Sequence, residues 1–186
     1  MMKCFKKVNI KDPAELDTND ILDEETVVLI SQSGETKDLI NIIEDCKSIP
    51  DVTTIGIINV AGSTIARKVD YPIYIKVGRE TCVAATKSFF HQVLNLIQFA
   101  TEVAEQKKSA PIELIQRIRD DLQAVPTKVE EAIAINEKEC EKLAETLRDK
   151  LSVYLLGMRE TMGIAKEAAL KIKELNYIHA EAMGAC

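Results

Sequence analysis

The sequence has 186 residues, of which 46% are hydrophobic and 29% charged, and its formal net charge is −6. This composition is ordinary for a globular chain of one domain, or of one domain and part of another. The acidic balance argues against a nucleic-acid partner, and no run of about 18 apolar residues predicts a membrane span. The N-terminus also lacks the apolar core of a secretory signal, so we expect a cytoplasmic protein without a membrane partner.

The cysteines are odd in number, widely spaced and without a Cys-x-x-Cys pair. This pattern is typical of reduced thiols in a cytosol rather than of a disulfide framework. Neither His91 nor His179 stands at metal-ligand spacing from a cysteine, so we expect no metal and no cofactor. The cysteines are Cys4, Cys46, Cys82, Cys140 and Cys186.

The first half of the chain predicts an α/β fold with a mostly parallel sheet. After a polar, irregular lead-in over residues 1–25, short runs rich in β-branched residues predict buried strands at 26–30, 53–60 and 70–78. A helical pattern through Leu39 and Ile43 separates the first two strands. Strands and helices that alternate at this spacing form βαβ units with helices packed on the sheet.

The second half predicts long helices, the first of which begins near Thr86. Pro111 and Pro126 mark the starts of two more helices, because the first helical turn tolerates proline. Ile133 and Leu143 lie on the expected inward face of the last of these helices. A strand over 152–156 and a final helix over 162–177 close the pattern.

The segment SQSGET, residues 31–36, follows the first strand and opens a helix. Three hydroxyls at a helix N-terminus, those of Ser31, Ser33 and Thr36, predict an anion site, and Gly34 lets the backbone approach a ligand closely. A plain N-cap by Ser33 explains the same pattern, and the spacing fits both interpretations equally.

Glu167, Lys171 and Glu174 form one row on the last helix. A carboxylate beside a lysine can move a proton during catalysis. A solvated salt-bridge ladder has the same spacing, and from the pattern alone the ladder is favoured because such ladders are common. His179 by itself indicates a structural residue rather than a catalytic one.

Three segments together resemble the sugar isomerase (SIS) domain of the isomerising glutamine–fructose-6-phosphate amidotransferases. They are VVLISQSGETKDLI, IGIINVAGSTIARKVDYPIYIKVGRETCVAATKSFFHQ and LGMRETMGIAKEAALKIKELNYIHAEAM, and the resemblance extends over residues 20–186. It implies an SIS-type sheet, a hexose phosphate ligand and a homodimer.

The resemblance also assigns roles to individual residues. It implies that the serine loop clamps the sugar phosphate, and that the segment around Val83 lines the sugar pocket, where Ala85 replaces the family's serine. It gives Glu174 the proton transfer between C1 and C2 of the sugar, with Lys171 as the accompanying lysine. The phosphate-binding residues it implies are Ser31, Gln32, Ser33 and Thr36.

The resemblance further implies a domain order in which the lead-in precedes an SIS domain over 26–105, a helical connector over 106–150, and the strand and helix that open a second SIS domain over 151–186. The family's first SIS strand, its glutaminase domain, its ring-opening histidine and its tail lysine have no counterpart in this sequence. We therefore expect the strand at 152–156 to fill the vacant place beside 26–30, in its own chain or by exchange between two copies.

The function that follows is binding of fructose 6-phosphate or glucosamine 6-phosphate, without isomerisation at a useful rate. Two alternatives stay open at this point. The chain is an active phosphosugar isomerase or aminotransferase subunit of a split enzyme, or it is an interaction fragment that binds no sugar.

Overall fold

Residues 4–185 are described by a computed structural model. They form two units, the first of which comprises the described residues up to Glu80 together with Ala85–Leu122. Thr81–Ala84 and the residues from Gln123 onward form the second unit. No helix within the described residues is long and apolar enough to cross a bilayer.

A three-stranded parallel sheet is the centre of the first unit. Its strands β1 (Thr26–Ser31), β2 (Thr53–Ile58) and β3 (Tyr71–Tyr74) lie in the order β1-β2-β3. The connections contain α1 (Lys37–Cys46) and α2 (Thr64–Lys68), so the predicted βαβ arrangement is confirmed. Two 3-10 turns, Pro13–Glu15 and Thr18–Asp20, interrupt the lead-in before β1.

The core of this unit lies between the sheet and the apolar face of α1. Leu29 of β1, Ile43 of α1 and Ile58 of β2 are at most 2% exposed. Each fully buried aliphatic side chain of this size contributes about 1.5–3 kcal/mol relative to an exposed one. The same contacts fix α1 on the sheet, and they therefore determine where its N-terminus lies relative to the end of β1.

Asp70 and Thr54 join the start of β3 to β2 through reciprocal hydrogen bonds. The Thr54 hydroxyl and backbone N–H donate to Asp70 Oδ2 over 2.7 and 2.8 Å, and the Asp70 N–H donates to the Thr54 hydroxyl over 3.0 Å. The hydrogen bond from the Thr54 side chain, followed by the one from its backbone, lowers the pKa of the Asp70 carboxyl. Ionised Asp70 is therefore favoured by folding.

We expect Asp70→Asn to reduce the loss of stability that acid causes. The pKa of Asp70 is lower in the folded chain than its unfolded value of about 4, so its contribution is complete above that pH and disappears as the pH falls through the folded value. The urea midpoints of wild type and variant should therefore differ at pH 7, and the difference should shrink as the pH is lowered in steps below pH 4. Asp121→Asn removes an exposed carboxylate without a hydrogen bond in residues 4–185 and is the control; a constant difference at every pH would contradict the prediction.

Two long helices follow, α3 (Lys87–Gln106) and α4 (Ile112–Leu147). Arg119 on α4 holds Glu102 and Glu105 on α3, with N–O distances of 2.6–3.1 Å. The expected break at Pro126 is wrong, because α4 continues through this proline. Pro126 is exposed, so water can hydrogen-bond the carbonyl that loses its helical partner, and the helical hydrogen bonds on either side keep the helix continuous.

The second unit contains its own two-stranded parallel sheet. Its strands are β4 (Ser152–Gly157) and β5 (His179–Gly184), and α5 (Glu160–Asn176) connects them. The expectation that β4 pairs with β1 inside one chain is wrong, because β5 is the partner of β4. Sequence analysis missed β5 because HAEAMG contains no β-branched or aromatic residue. Exchange of β4 between two copies stays a prediction.

The cysteines of the described residues are free thiols: Cys4 and Cys46 are buried, and Cys82 and Cys140 are exposed. Burial raises the pKa of the Cys46 thiol, which makes it a poor nucleophile. Cys186 lies outside the described residues.

Candidate functional site

The serine loop connects the carboxyl end of β1 to the N-terminus of α1. Ser31 is the last residue of β1, and α1 begins at Lys37. Gly34, in the middle of the loop, has a φ of +68°, which favours a residue without a side chain. In parallel α/β sheets, ligands bind at this edge, where backbone N–H groups of the following helix point outward.

Hydrogen bonds inside the loop divide its hydroxyls into two kinds. Ser31 is 5% exposed, and its hydroxyl accepts the Gly34 N–H at 3.0 Å and shares a hydrogen bond of 2.9 Å with the Thr36 hydroxyl. Ser33 and Thr36 are exposed, and the Ser33 hydroxyl accepts the Glu35 N–H at 3.2 Å. Ser31 therefore holds the shape of the loop from inside, whereas Ser33 and Thr36 lie at the surface of the loop and each make one hydrogen bond within it.

The plain N-cap interpretation of Ser33 is wrong. Thr36, not Ser33, is the N-cap residue of α1, and it makes no side-chain cap hydrogen bond. The first N–H groups of a helix have no partner within the helix, so the first turn of α1 keeps free donors beside the exposed hydroxyls. Gln32 is partly exposed, and its backbone carbonyl accepts the Asn59 backbone N–H at 3.3 Å.

The connection between β2 and α2 supports the loop from one side. The Ile65 N–H donates to the Gly34 carbonyl at 2.9 Å, and the Thr64 N–H donates to the Glu35 carboxylate at 2.8 Å. That backbone hydrogen bond lowers the pKa of Glu35. Sequence analysis missed this support, although the Gly-Ser pair after the second strand, Gly62 and Ser63, was a visible turn signal.

The segment around Val83 lies before α3. Val83 is 90% exposed, and it belongs to the second unit, unlike the serine loop. Sequence analysis also missed Glu80, whose carboxylate accepts the backbone N–H and hydroxyl of Ser88 in the first turn of α3. The hydrogen bond from the Ser88 side chain lowers the pKa of Glu80, so an ionised carboxylate caps α3.

Lys171 joins the two glutamates of its row in the second unit. Its Nζ lies 2.7 Å from Glu174 Oε2 and 3.4 Å from Glu167 Oε1. The three side chains are 20–32% exposed, so the row is half-buried rather than a fully solvated ladder. Desolvation lowers the pKa of Lys171, but the hydrogen bond to Glu174 and the nearby charge of Glu167 outweigh it and raise that pKa. Lys171 is therefore a fixed positive charge beside two carboxylates.

A family model for the SIS domain matches residues 8–102 of this chain. The chain therefore belongs to the SIS domain family, as the sequence motifs predicted.

The chain is also similar to individual proteins and solved structures of known name. The chain is 35% identical over 187 aligned residues to the isomerising glutamine–fructose-6-phosphate aminotransferase of Thermococcus kodakarensis. Among solved structures, it is similar to the C-terminal domain of the glucosamine-fructose-6-phosphate aminotransferase of Francisella tularensis, with 33% identity and a TM-score of 0.84. It is also similar to a glucosamine-6-phosphate deaminase of Thermotoga maritima, with 27% identity and a TM-score of 0.72.

The coverage of these matches is uneven. The Thermococcus alignment includes 98% of this chain but 31% of that relative. The Francisella and Thermotoga structures are matched over 88% and 89% of this chain and over 46% and 47% of theirs. The chain thus spans about a third of the curated relative and about half of the solved structures.

Proposed function

We propose that this chain binds a hexose phosphate, with the phosphate at the loop of residues 31–36. The observation that carries the proposal is the exposed pair of hydroxyl-bearing residues, Ser33 and Thr36, at the N-terminus of α1, which has no side-chain cap. Hydroxyl and N–H donors within one short loop suit a phosphate dianion, and the positive end of the helix dipole adds to the attraction.

The relatives support the choice of ligand. Their names place fructose 6-phosphate and glucosamine 6-phosphate among the compounds on which they act. We therefore propose these two hexose phosphates as ligands, with Gln32 contributing through its backbone.

Calorimetric titration tests the proposal. Glucosamine 6-phosphate and fructose 6-phosphate should bind the 186-residue chain, and unphosphorylated glucosamine and fructose should bind at least about a hundredfold more weakly, because two charge-assisted hydrogen bonds are lost. Equal affinity for the phosphorylated and unphosphorylated sugars would contradict a phosphate site.

Ser33→Ala combined with Thr36→Val should weaken binding of glucosamine 6-phosphate by about 2 kcal/mol or more, since hydrogen bonds to a charged group contribute about 1.5–3 kcal/mol each. Folding should change by no more than about 1–2 kcal/mol, because the double variant loses two hydrogen bonds, one between Thr36 and Ser31 and one from the Glu35 N–H to Ser33. The measurement is calorimetry with thermal unfolding as a check on folding. Ser48→Ala, which removes an exposed hydroxyl just beyond the C-terminus of α1, is the matched control and should bind like wild type. An unchanged affinity of the double variant would exclude this loop as the phosphate site.

Aldose–ketose isomerisation is a second candidate function, and the half-buried row of Glu167, Lys171 and Glu174 favours it. We propose that Glu174 would move the proton between C1 and C2 and that Lys171 would hold its charge. Isomerisation also requires ring opening and stabilisation of the developing oxyanion, for which the resemblance assigns no residue of this sequence. We therefore expect binding without useful turnover; conversion of glucose 6-phosphate to fructose 6-phosphate that Glu174→Gln abolishes would establish the enzyme.

We also propose that the chain acts in the cytoplasm as a homodimer. Free thiols support the compartment. Within residues 4–185, β1 is an edge strand of its sheet, and Val28 and Ile30 on one of its faces are 37% and 41% exposed, which supports self-association. Light scattering on the purified chain should give twice the monomer mass of 20.7 kDa.

A further inference from the structure

Ser63 carries a buried hydroxyl that has no hydrogen-bond partner among the described residues. The residue is 4% exposed and precedes α2 in the connection that supports the serine loop. Buried hydroxyls in folded proteins are nearly always paired, so an unpaired one calls for an explanation in terms of function or of another state of the chain.

The position of this hydroxyl ties it to the anion site. Ser63 packs directly against Gly34, so closely that a Cβ on Gly34 would overlap the Ser63 hydroxyl and lie 2.6 Å from the Ser63 Cβ. Gly34 also carries a possible acceptor for this hydroxyl, because its carbonyl receives one hydrogen bond, from the Ile65 N–H, and has a second lone pair.

The peptide group between Gly34 and Glu35 connects this carbonyl to the proposed anion. The carbonyl of this peptide group, on Gly34, accepts the Ile65 N–H. The N–H of the same group, on Glu35, donates to the Ser33 hydroxyl over 3.2 Å, which is the long limit for a hydrogen bond. A peptide group is a rigid plane with the N–H and carbonyl on opposite sides. An anion that draws the Glu35 N–H toward itself therefore also reorients the Gly34 carbonyl.

We propose that Ser63 is a positioning residue of the anion site, whose hydroxyl donates to the Gly34 carbonyl only when a phosphate is bound. This inference rests on the proposed function. It gives the unpaired hydroxyl its role: the hydrogen bond that is missing in the free chain forms in the complex and stabilises the bound form of the loop.

Ser63→Ala tests this role through two measurements, ligand affinity and unfolding temperature without ligand. Loss of a purely structural hydrogen bond would lower the unfolding temperature, whereas loss of a positioning residue should lower only the affinity. The variant should bind glucosamine 6-phosphate about 3- to 10-fold more weakly, which is the range for one neutral hydrogen bond. Its unfolding temperature without ligand should equal or exceed that of wild type, because the hydroxyl has no partner to lose.

Ser88→Ala is the matched comparison for stability. It also removes a buried serine hydroxyl, but this one donates to Glu80 at 2.8 Å, so its loss should lower the unfolding temperature. A Ser63→Ala chain that binds like wild type, or that loses as much stability as Ser88→Ala without ligand, would overturn the inference and leave the proposed function intact. A wild-type chain that binds neither hexose phosphate nor inorganic phosphate would overturn both.

Discussion

Gly34→Ala should destabilise the first unit by about 2–5 kcal/mol and abolish phosphate binding. A φ of +68° costs a residue with a side chain about 1–2 kcal/mol. The new Cβ would also lie 2.6 Å from the Ser63 Cβ and 2.9 Å from Ile58 Cγ2, and such overpacking typically costs about 1–3 kcal/mol. Urea unfolding and calorimetric titration measure the two effects separately.

Gly62→Ala separates the two causes. Gly62 has a φ of +76°, but a Cβ there would meet no atom of residues 4–185 within 4 Å. This variant should therefore lose only the conformational part, about 1–2 kcal/mol, and keep the loop in place. Equal losses for Gly34→Ala and Gly62→Ala would mean that the loop moves freely away from Ser63, contrary to the close packing described above.

Gly157→Ala should destabilise the second unit by about 2–3 kcal/mol. Gly157 ends β4, and a Cβ there would lie 2.8 Å from both the Met162 Cα and the Thr161 carbonyl oxygen. Because these are backbone atoms, the start of α5 must move as a whole to make room. Urea unfolding followed by circular dichroism measures the loss.

Gly163→Ala in α5 should have the opposite effect and stabilise the second unit. Gly163 lies inside α5, where a Cβ would meet no atom within 4 Å, so alanine should stabilise the helix by about 0.5–1 kcal/mol. If Gly157→Ala and Gly163→Ala both left the free energy of unfolding unchanged, α5 would not lie as close to the end of β4 as described.

The parts of the fold that the sequence predicted are those with strong periodic or β-branched patterns. β1 and β2 are runs of aliphatic residues, and α1 has a clear apolar face, so their types and order followed from pattern alone. Pattern does not reveal what covers an apolar face. Ile133 and Leu143 were expected to point inward on a separate helix, but they are 61% and 56% exposed on the continuous α4.

Prediction of the site had the same limit. The position of the serine loop between strand and helix followed from the sequence, because a buried strand followed by Ser, Gly and Thr is a local signal. The division of labour within the loop did not, since Ser31 and Ser33 are the same residue type and only their burial separates them. Ser63 is distant from the loop in sequence, and only the fold brings it against Gly34.

Nitrogen–proton correlation spectra of the isotope-labelled chain, recorded as glucosamine 6-phosphate is added, would locate the bound phosphate directly. We predict that the amide signals of residues 32–37 shift most, that inorganic phosphate moves the same signals, and that unphosphorylated glucosamine leaves them in place. Saturating glucosamine 6-phosphate that leaves these amides unmoved, or that shifts signals only elsewhere in the chain, would contradict a phosphate site at the N-terminus of α1.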